Sequence, residues 1–201
     1  MPAPAATRRH VLAAAAALAA GPALAQPART RVRLETDKGA IVIELADERA
    51  PVTVANFLRY VDARRLDGAV FFRGVQAPGA PEIGLVQAQV QDPTKLFPPI
   101  AHESTTLTGL KHVDTAVSMA RFAPGTAQAS FSICCGDAPH LDADPSLPGD
   151  NLGYAVFGQV VEGMEVARAI LALPKTGAPP VPSMQGQIYD PPIPIVSARR
   201  I

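Results

Sequence analysis

The chain has 201 residues, with 18 basic side chains balanced by 18 acidic ones and 48% hydrophobic residues. That length suits a single domain with a substantial core, and the charge balance leaves no electrostatic footprint for nucleic acid or anionic lipid. The two cysteines, Cys134 and Cys135, are adjacent; on a strand they would point to opposite faces, which argues against a bridge between them, and a metal site cannot be built from this pair alone.

Residues 1–25 read as a leader. Arg8-Arg9 is followed by an apolar run over 11–20, a Gly21-Pro22 break and Ala23-Leu24-Ala25 before Gln26, the pattern of a cleavable signal peptide cut after Ala25. The run is about half of the roughly 20 residues a spanning helix needs. Thr7-Arg8-Arg9-His10-Val11-Leu12 also resembles a twin-arginine export signal, although His10 and the missing downstream Lys depart from it. Both the twin-arginine and the general secretory route stay open. The expectation is a periplasmic protein whose residues 26–201 form one domain, with no membrane segment after cleavage.

In 32–36 and 41–45 apolar and polar residues alternate around Asp37-Lys38-Gly39, which predicts a hairpin with one buried face. Pro51 opens a helix over 52–63 that sets Val54, Phe57, Leu58 and Val61 on one side. A strand over 69–75 follows, then a loop over 76–83 marked by Pro78, Gly79 and Pro81, and a short strand over 84–90. Residues 94–114 lack periodicity and predict a long ordered loop. Strands are expected over 116–121, 130–135 and 154–160, with a loop over 137–153. A second helix spans 164–173, with Val166, Ile170 and Leu173 inward, and a proline-rich loop over 174–192 leads to a last strand at 193–198. About eight short strands and two helices, without strand-helix alternation, predict a mainly β protein: a closed antiparallel barrel with helices over its open ends.

Arg73 stands out because it places a permanent cation in the otherwise apolar run Ala69-Val70-Phe71-Phe72-Arg73-Gly74-Val75. It must meet an anion, carbonyl groups or a substrate. Read alone, a structural ion pair or a head reaching water accounts for it as well.

In this order the elements resemble those of a cyclophilin, the barrel class of peptidyl-prolyl cis-trans isomerase, over nearly all of 32–201. Ala50-Pro51-x-Thr53-Val54-x-Asn56-Phe57 follows the family's first-helix pattern, and Phe71-Phe72-Arg73-Gly74 is similar to its catalytic Phe-His-Arg-Val. Gly84-Leu85-Val86-Gln87 looks like the Gly-Phe-Met-Ile-Gln segment with one residue missing, making Gln87 the pocket glutamine and Gln89 the competing register. Ser118-Met119-Ala120-Arg121 resembles the Met-Ala-Asn or Met-Ala-Arg strand, Leu141-Asp142 a pair that closes the pocket, and the run from Tyr154 to Met164 the Val-Phe-Gly-x-Val-x-x-Gly-Met signature.

The resemblance implies that Arg73 is catalytic and that Phe72, Leu85, Val86, Gln87, Ala120, Arg121, Phe131, Ser132, Leu141 and Tyr154 bind substrate. It also marks departures: Phe72 replaces a His, Ser130 a Gln, Ser132 the second Phe of Phe-Phe-Ile, His140 a Trp and Tyr154 a common His. The Ser132 change removes the aromatic floor under the substrate proline, so a weaker isomerase is expected; weak inhibition by cyclosporin is expected from His140. The reaction calls for no cofactor and no metal, and the implied partners are proline-containing segments of exported proteins, met by a monomer. The altered pocket equally suits a chaperone module that holds such segments with little catalysis. A hydrolase or metal protein built on His102, Glu103, His112 and Asp114, or on Ser132 with His140, is disfavoured, since His102-Glu103 lacks zinc-site spacing and nothing fixes a base beside a nucleophile.

Overall fold

The computed structural model describes Met1 and residues 29–201, so the leader assigned above, Met1 apart, lies outside the described residues. The strands are β1 (Arg31–Thr36), β2 (Gly39–Leu45), β3 (Val70–Ala77), β4 (Ala80–Gln89), β5 (Ala116–Met119), β6 (Phe131–Cys135), β7 (Ala155–Glu162) and β8 (Ile188–Arg200). They close an antiparallel barrel in the order β1-β2-β7-β5-β6-β4-β3-β8. Among the described residues three α-helices accompany them: α1 (Pro51–Asp62), α2 (Thr105–Thr108) and α3 (Met164–Ala172).

One apolar core fills the barrel. Inward residues of the strands, such as Leu34, Ile43, Phe71, Val86, Phe131, Ile133 and Phe157, meet Val54, Phe57 and Val61 of α1 and Val166, Ala167 and Ile170 of α3. Phe57 packs edge-on to Phe131, ring centroids 5.5 Å apart, and against Phe157 at 5.1 Å. Aromatic contacts of this kind join helix to barrel by more than buried area. The β1–β2 hairpin turns through Asp37-Lys38, where the Thr36 hydroxyl donates to the Gly39 carbonyl at 2.7 Å. Gly39 has φ 131°, and a Cβ there would lie 2.8 Å from Val166 of α3, so only glycine lets the helix come down on the turn.

Helix α1 begins at Pro51, and a distant side chain completes its start. The buried carboxylate of Glu103 accepts from the backbone N–H of Val52 (3.1 Å) and Thr53 (2.7 Å) and from the Thr53 hydroxyl (2.6 Å). An anion at this end meets open N–H groups and the favourable end of the helix dipole. The long stretch 94–114 is pinned to α1 elsewhere too. The Phe97 N–H donates to the Tyr60 hydroxyl at 2.7 Å, and the Arg59 guanidinium lies 4.7 Å from the Phe97 ring centroid. It carries one short helix, α2, capped by Ser104.

Two boundaries differ most from expectation. Residues 76–83 are not a loop: β3 and β4 run on as a ribbon that turns at Pro78-Gly79, with Ala77 opposite Ala80 and Gly79 at φ 77°. Proline followed by a positive-φ glycine is the chemistry of a two-residue turn, and the other proline, Pro81, lies in the ribbon with its carbonyl bonded by Gln76. The last strand starts at Ile188, not at residue 193, because β3 recruits Ile188 opposite Arg73 before the prolines bow outward.

Candidate active site

A bulge at Phe72 determines where Arg73 points. Phe71 pairs with Ala88 on β4, yet Arg73 pairs with Gln87, so Phe72 is an extra residue on β3; on the β8 side Phe71 pairs with Ile193 and Arg73 with Ile188. In a regular strand Phe71 and Arg73 would share a face. The bulge places Phe71 in the core with Ala88 and turns Arg73 to the barrel's outer face with Gln87, a common use of such an insertion. Gly74 then faces inward, and a Cβ there would lie 2.0 Å from the Tyr189 hydroxyl. Tyr189 thus fills the space that a side chain at residue 74 would take.

On the outer face, cross-strand pairing aligns Arg73, Gln87, Ser132, Ser118 and Val156 in one row over β3, β4, β6, β5 and β7. Arg73 Nη1 donates to Gln87 Oε1 at 3.1 Å, and Nε donates to Gln187 Oε1 at 2.8 Å. Gln87 Nε2 donates to Ser130 Oγ at 3.2 Å, and that hydroxyl donates to the Ala88 carbonyl at 2.8 Å. The order of donors settles how the Gln87 amide lies: Ser130 spends its proton on a carbonyl, so it accepts from the amide NH2, and the amide oxygen turns to the arginine. Gln89, the competing position, pairs with Val70 instead.

Partial burial lowers the Arg73 guanidinium from its ordinary value, with Tyr154 acting weakly in the opposite sense, but an arginine remains cationic at any ordinary pH. Nη2 carries no bond to the described residues. The arrangement therefore holds a planar cation by one edge and one end and leaves donors for an incoming carbonyl or amide nitrogen.

Ser132 and Ala120 also lie along this face, the Ala120 N–H bonding the Ser130 carbonyl at 2.8 Å. Leu85 is half-buried two positions from Gln87, and half-buried Phe72 occupies the bulge. Leu141 packs on a second apolar cluster of Ala116, Cys134, Ala138 and Val156, and its carbonyl receives the N–H of Tyr154.

Three expected contacts are corrected. Val86 and Phe131 are 0% exposed and belong to the interior of the barrel, since β4 and β6 alternate and both residues have the opposite parity to Gln87 and Ser132; neither lines a substrate groove. Arg121 is also spoken for. Its Nε and Nη2 donate to the Gly153 carbonyl at 3.0 and 2.6 Å, it pairs with Asp150, and its guanidinium lies 5.4 Å from the Tyr154 ring centroid. It fastens the loop over 137–153 to the end of β5.

Sequence reasoning missed two features. Gln187 is separated from Arg73 by the whole barrel in sequence, and no local pattern announces it. The second is a chain behind Ser132: Ser118 Oγ lies 2.8 Å from His112 Nε2, and His112 Nδ1 lies 2.7 Å from Asp142 Oδ1. The Asp142 carboxylate only accepts, so Nδ1 carries the proton and Nε2 accepts from the serine. Burial lowers the His112 imidazole despite Asp142. For Asp142 burial pulls upward, but the bonds from His112 outweigh it and hold the carboxyl below its usual range. The bonding is that of a nucleophile, base and orienter, yet Ser118 is 3% exposed, which closes its oxygen to an acyl group.

Three of the other polar residues weighed for a hydrolase or metal site have partners too. Glu103 caps α1, Asp114 binds Arg168 at 2.6 Å and the Gly136 N–H at 2.7 Å, and His102 meets the Leu152 carbonyl. Among the described residues no three His, Cys, Asp or Glu side chains gather as metal ligands. Burial pushes the Cys134 thiol up to about 12 and that of Cys135 up to about 11, so neither is a thiolate near neutral pH.

Comparison with known proteins bears on the same geometry. The family profile described as cyclophilin type peptidyl-prolyl cis-trans isomerase/CLD matches residues 31–198. The chain is 38% identical over 148 residues to peptidyl-prolyl cis-trans isomerase cyp18 of Streptomyces antibioticus, covering 73% of this chain and 86% of the relative. It is 36% identical over 150 residues to peptidyl-prolyl cis-trans isomerase A of Dickeya dadantii, covering 74% and 75%. Among solved structures, a cyclophilin type peptidyl-prolyl cis-trans isomerase of Cryptosporidium parvum superposes with TM-score 0.66 at 19% identity, over 87% of this chain and 98% of the other. The same protein in the presence of the dipeptide Ala-Pro gives TM-score 0.64 over 84% and 97%.

Proposed function

The chain belongs to the cyclophilin-type peptidyl-prolyl cis-trans isomerases, and we propose that it turns X-Pro bonds in exported polypeptides, more slowly than a family member with an intact aromatic pocket, with Arg73 as its catalytic residue. The observation that carries the reading is the outward-facing Arg73, held by Gln87, which pairs across the sheet with Ser132 and donates to Ser130.

Rotation about an amide breaks its resonance, a barrier of about 18–20 kcal/mol. In the twisted state the proline nitrogen regains a basic lone pair. A fixed guanidinium donates to that nitrogen more strongly as the twist proceeds, which lowers the barrier instead of merely tightening binding. No proton has to be transferred and no covalent bond formed.

Ser132 supports the slower rate. Replacing a phenyl floor by a hydroxymethyl group forgoes apolar contact of about 1.5–3 kcal/mol; where that contact is made in the transition state, each 1.36 kcal/mol corresponds to about tenfold in rate. The Ala-Pro dipeptide present with the Cryptosporidium parvum protein supports a proline-containing segment as ligand. Export to the periplasm is supported by Arg8-Arg9, the apolar run and Ala23-Leu24-Ala25, and the mass of the exported chain tests cleavage after Ala25.

Residues 26–201, wild type and Arg73→Ala, are compared for cis-trans exchange in Ala-X-Pro-Phe peptides by NMR exchange spectroscopy. The expected result is acceleration by the wild type alone. Equal silence of both proteins with peptide still bound would replace this reading by that of a proline-segment chaperone, which the polar floor at Ser132 favours.

A further inference from the structure

We propose that Gln187, carried at the end of the proline-rich segment, is a positioning residue for the isomerase reaction: with Gln87 it forms a two-sided clamp that fixes the plane of the Arg73 guanidinium. The proposal rests on the isomerase reading for its consequence in rate, but the clamp itself is a statement about Arg73 and is measured separately.

Residue 187 is tied to β3 by the main chain before its side chain is considered. The Gly74 N–H donates to the Gln187 carbonyl at 2.9 Å, and Ile188, the next residue, pairs with Arg73. This brings the side chain of residue 187 beside that of residue 73. The nitrogen of its amide is directed back to its own segment, Nε2 donating to the Ser183 carbonyl at 3.3 Å, while the Gln187 N–H donates to the Met184 carbonyl at 3.1 Å. The amide oxygen is thereby left to Arg73 Nε, at 2.8 Å.

Nε and Nη1 lie on different edges of the guanidinium. A single acceptor would let the plane swing about its bond to the side chain, whereas Gln187 on Nε and Gln87 on Nη1 hold it from two sides. The donors that remain on Nη2 and Nη1 then keep fixed directions. Those directions decide whether the cation meets the proline nitrogen as the amide twists, and alignment of this kind governs the rate more than the affinity. The short helical turn Pro182–Met184 and the segment behind it thus have a catalytic consequence although they touch no substrate.

The test uses residues 26–201 as wild type, Gln187→Ala and Gln187→Glu; none of these changes removes the main-chain bond to Gly74. Three quantities are read: kcat and KM on an Ala-Ala-Pro-Phe peptide, the melting temperature, and the Arg73 Nε–H signal in a nitrogen-15 spectrum, assigned by its absence in Arg73→Lys. Gln187→Ala is expected to lower kcat about tenfold with KM nearly unchanged, to keep the melting temperature and to lose the Nε–H signal to rapid exchange with water. Gln187→Glu, which keeps an acceptor for Nε–H, is expected to keep the signal. A Gln187→Ala enzyme with kcat within about twofold of wild type and an undisturbed signal overturns the clamp, as does a kcat that falls only together with the melting temperature. If the wild type itself catalyses nothing, the isomerase reading fails, and the signal still decides: its loss in Gln187→Ala supports the clamp and its persistence overturns it.

Discussion

Arg73 and Gln87 face each other across the β3–β4 ladder, Nη1 to Oε1 at 3.1 Å, because Phe72 bulges out between Phe71 and Arg73. One extra residue in the strand moves a cation from the inner parity to the outer face.

Gln87→Leu removes the acceptor and leaves Ser130 without its donor. A hydrogen bond to a charged group contributes about 1.5–3 kcal/mol, so kcat/KM for X-Pro peptides is expected to fall by about ten- to a hundredfold. Gln89→Leu, two positions on and paired with Val70, is expected to change it by less than about twofold. Equal effects from the two substitutions in a peptide isomerisation assay would disprove the assignment of Gln87.

Ser132→Phe restores an aromatic ring between Gln87 and Ser118 on the outer face. The apolar contact regained, about 1.5–3 kcal/mol by side-chain burial, is expected to lower KM about tenfold or more. A peptide titration followed by NMR reads the affinity directly, and unchanged affinity in a variant that melts like the wild type would mean that the proline ring does not rest at residue 132.

Local pattern made much of the fold legible. Alternation marked β1 and β2, and the apolar spacing of Val54, Phe57, Leu58 and Val61 marked α1, because each signal lies within one element. The resemblance named Arg73 and Gln87 together, and the barrel brings their side chains into one hydrogen bond. It misplaced Val86 and Phe131 because a short motif does not reveal strand parity, which depends on register and on the bulge. Pro78 and Gly79 read as loop because proline and glycine punctuate loops and tight hairpins alike. Gln187 beside Arg73 and Glu103 beneath α1 join residues far apart in sequence, and such a partnership exists only once the barrel has closed.

Glu103→Ala leaves the Val52 and Thr53 N–H groups and the Thr53 hydroxyl without their acceptor. Open donors at a buried helix start cost about 1–3 kcal/mol, so urea unfolding is expected to show a loss of that size. The site row shares no residue with this cap, and kcat/KM below the melting range is expected to remain that of the wild type. A stability equal to that of the wild type would refute the capping role.

His112 makes stability depend on pH in a defined direction. Burial holds its imidazole below the usual value, with Asp142 opposing and His140 and Lys111 adding to the depression. In the unfolded chain it takes up a proton near pH 6.5. Between that value and the lower folded one, the unfolded state binds more protons, so stability rises with pH there. The His112 contribution is therefore complete above about pH 6.5 and is lost as the pH falls through the folded value. Asp142 acts in the same sense further down, complete above about pH 4 and lost as its own lower folded value is passed. Protonating His112 also takes Nε2 away from the Ser118 hydroxyl, so the folded chain resists the proton for a reason visible in the bonding. Urea unfolding of the wild type is expected to lose stability from about pH 7.5 to about pH 5.5, while His112→Gln, less stable at the upper value, shows a flatter profile. Parallel profiles for the two proteins would assign the pH dependence to other groups.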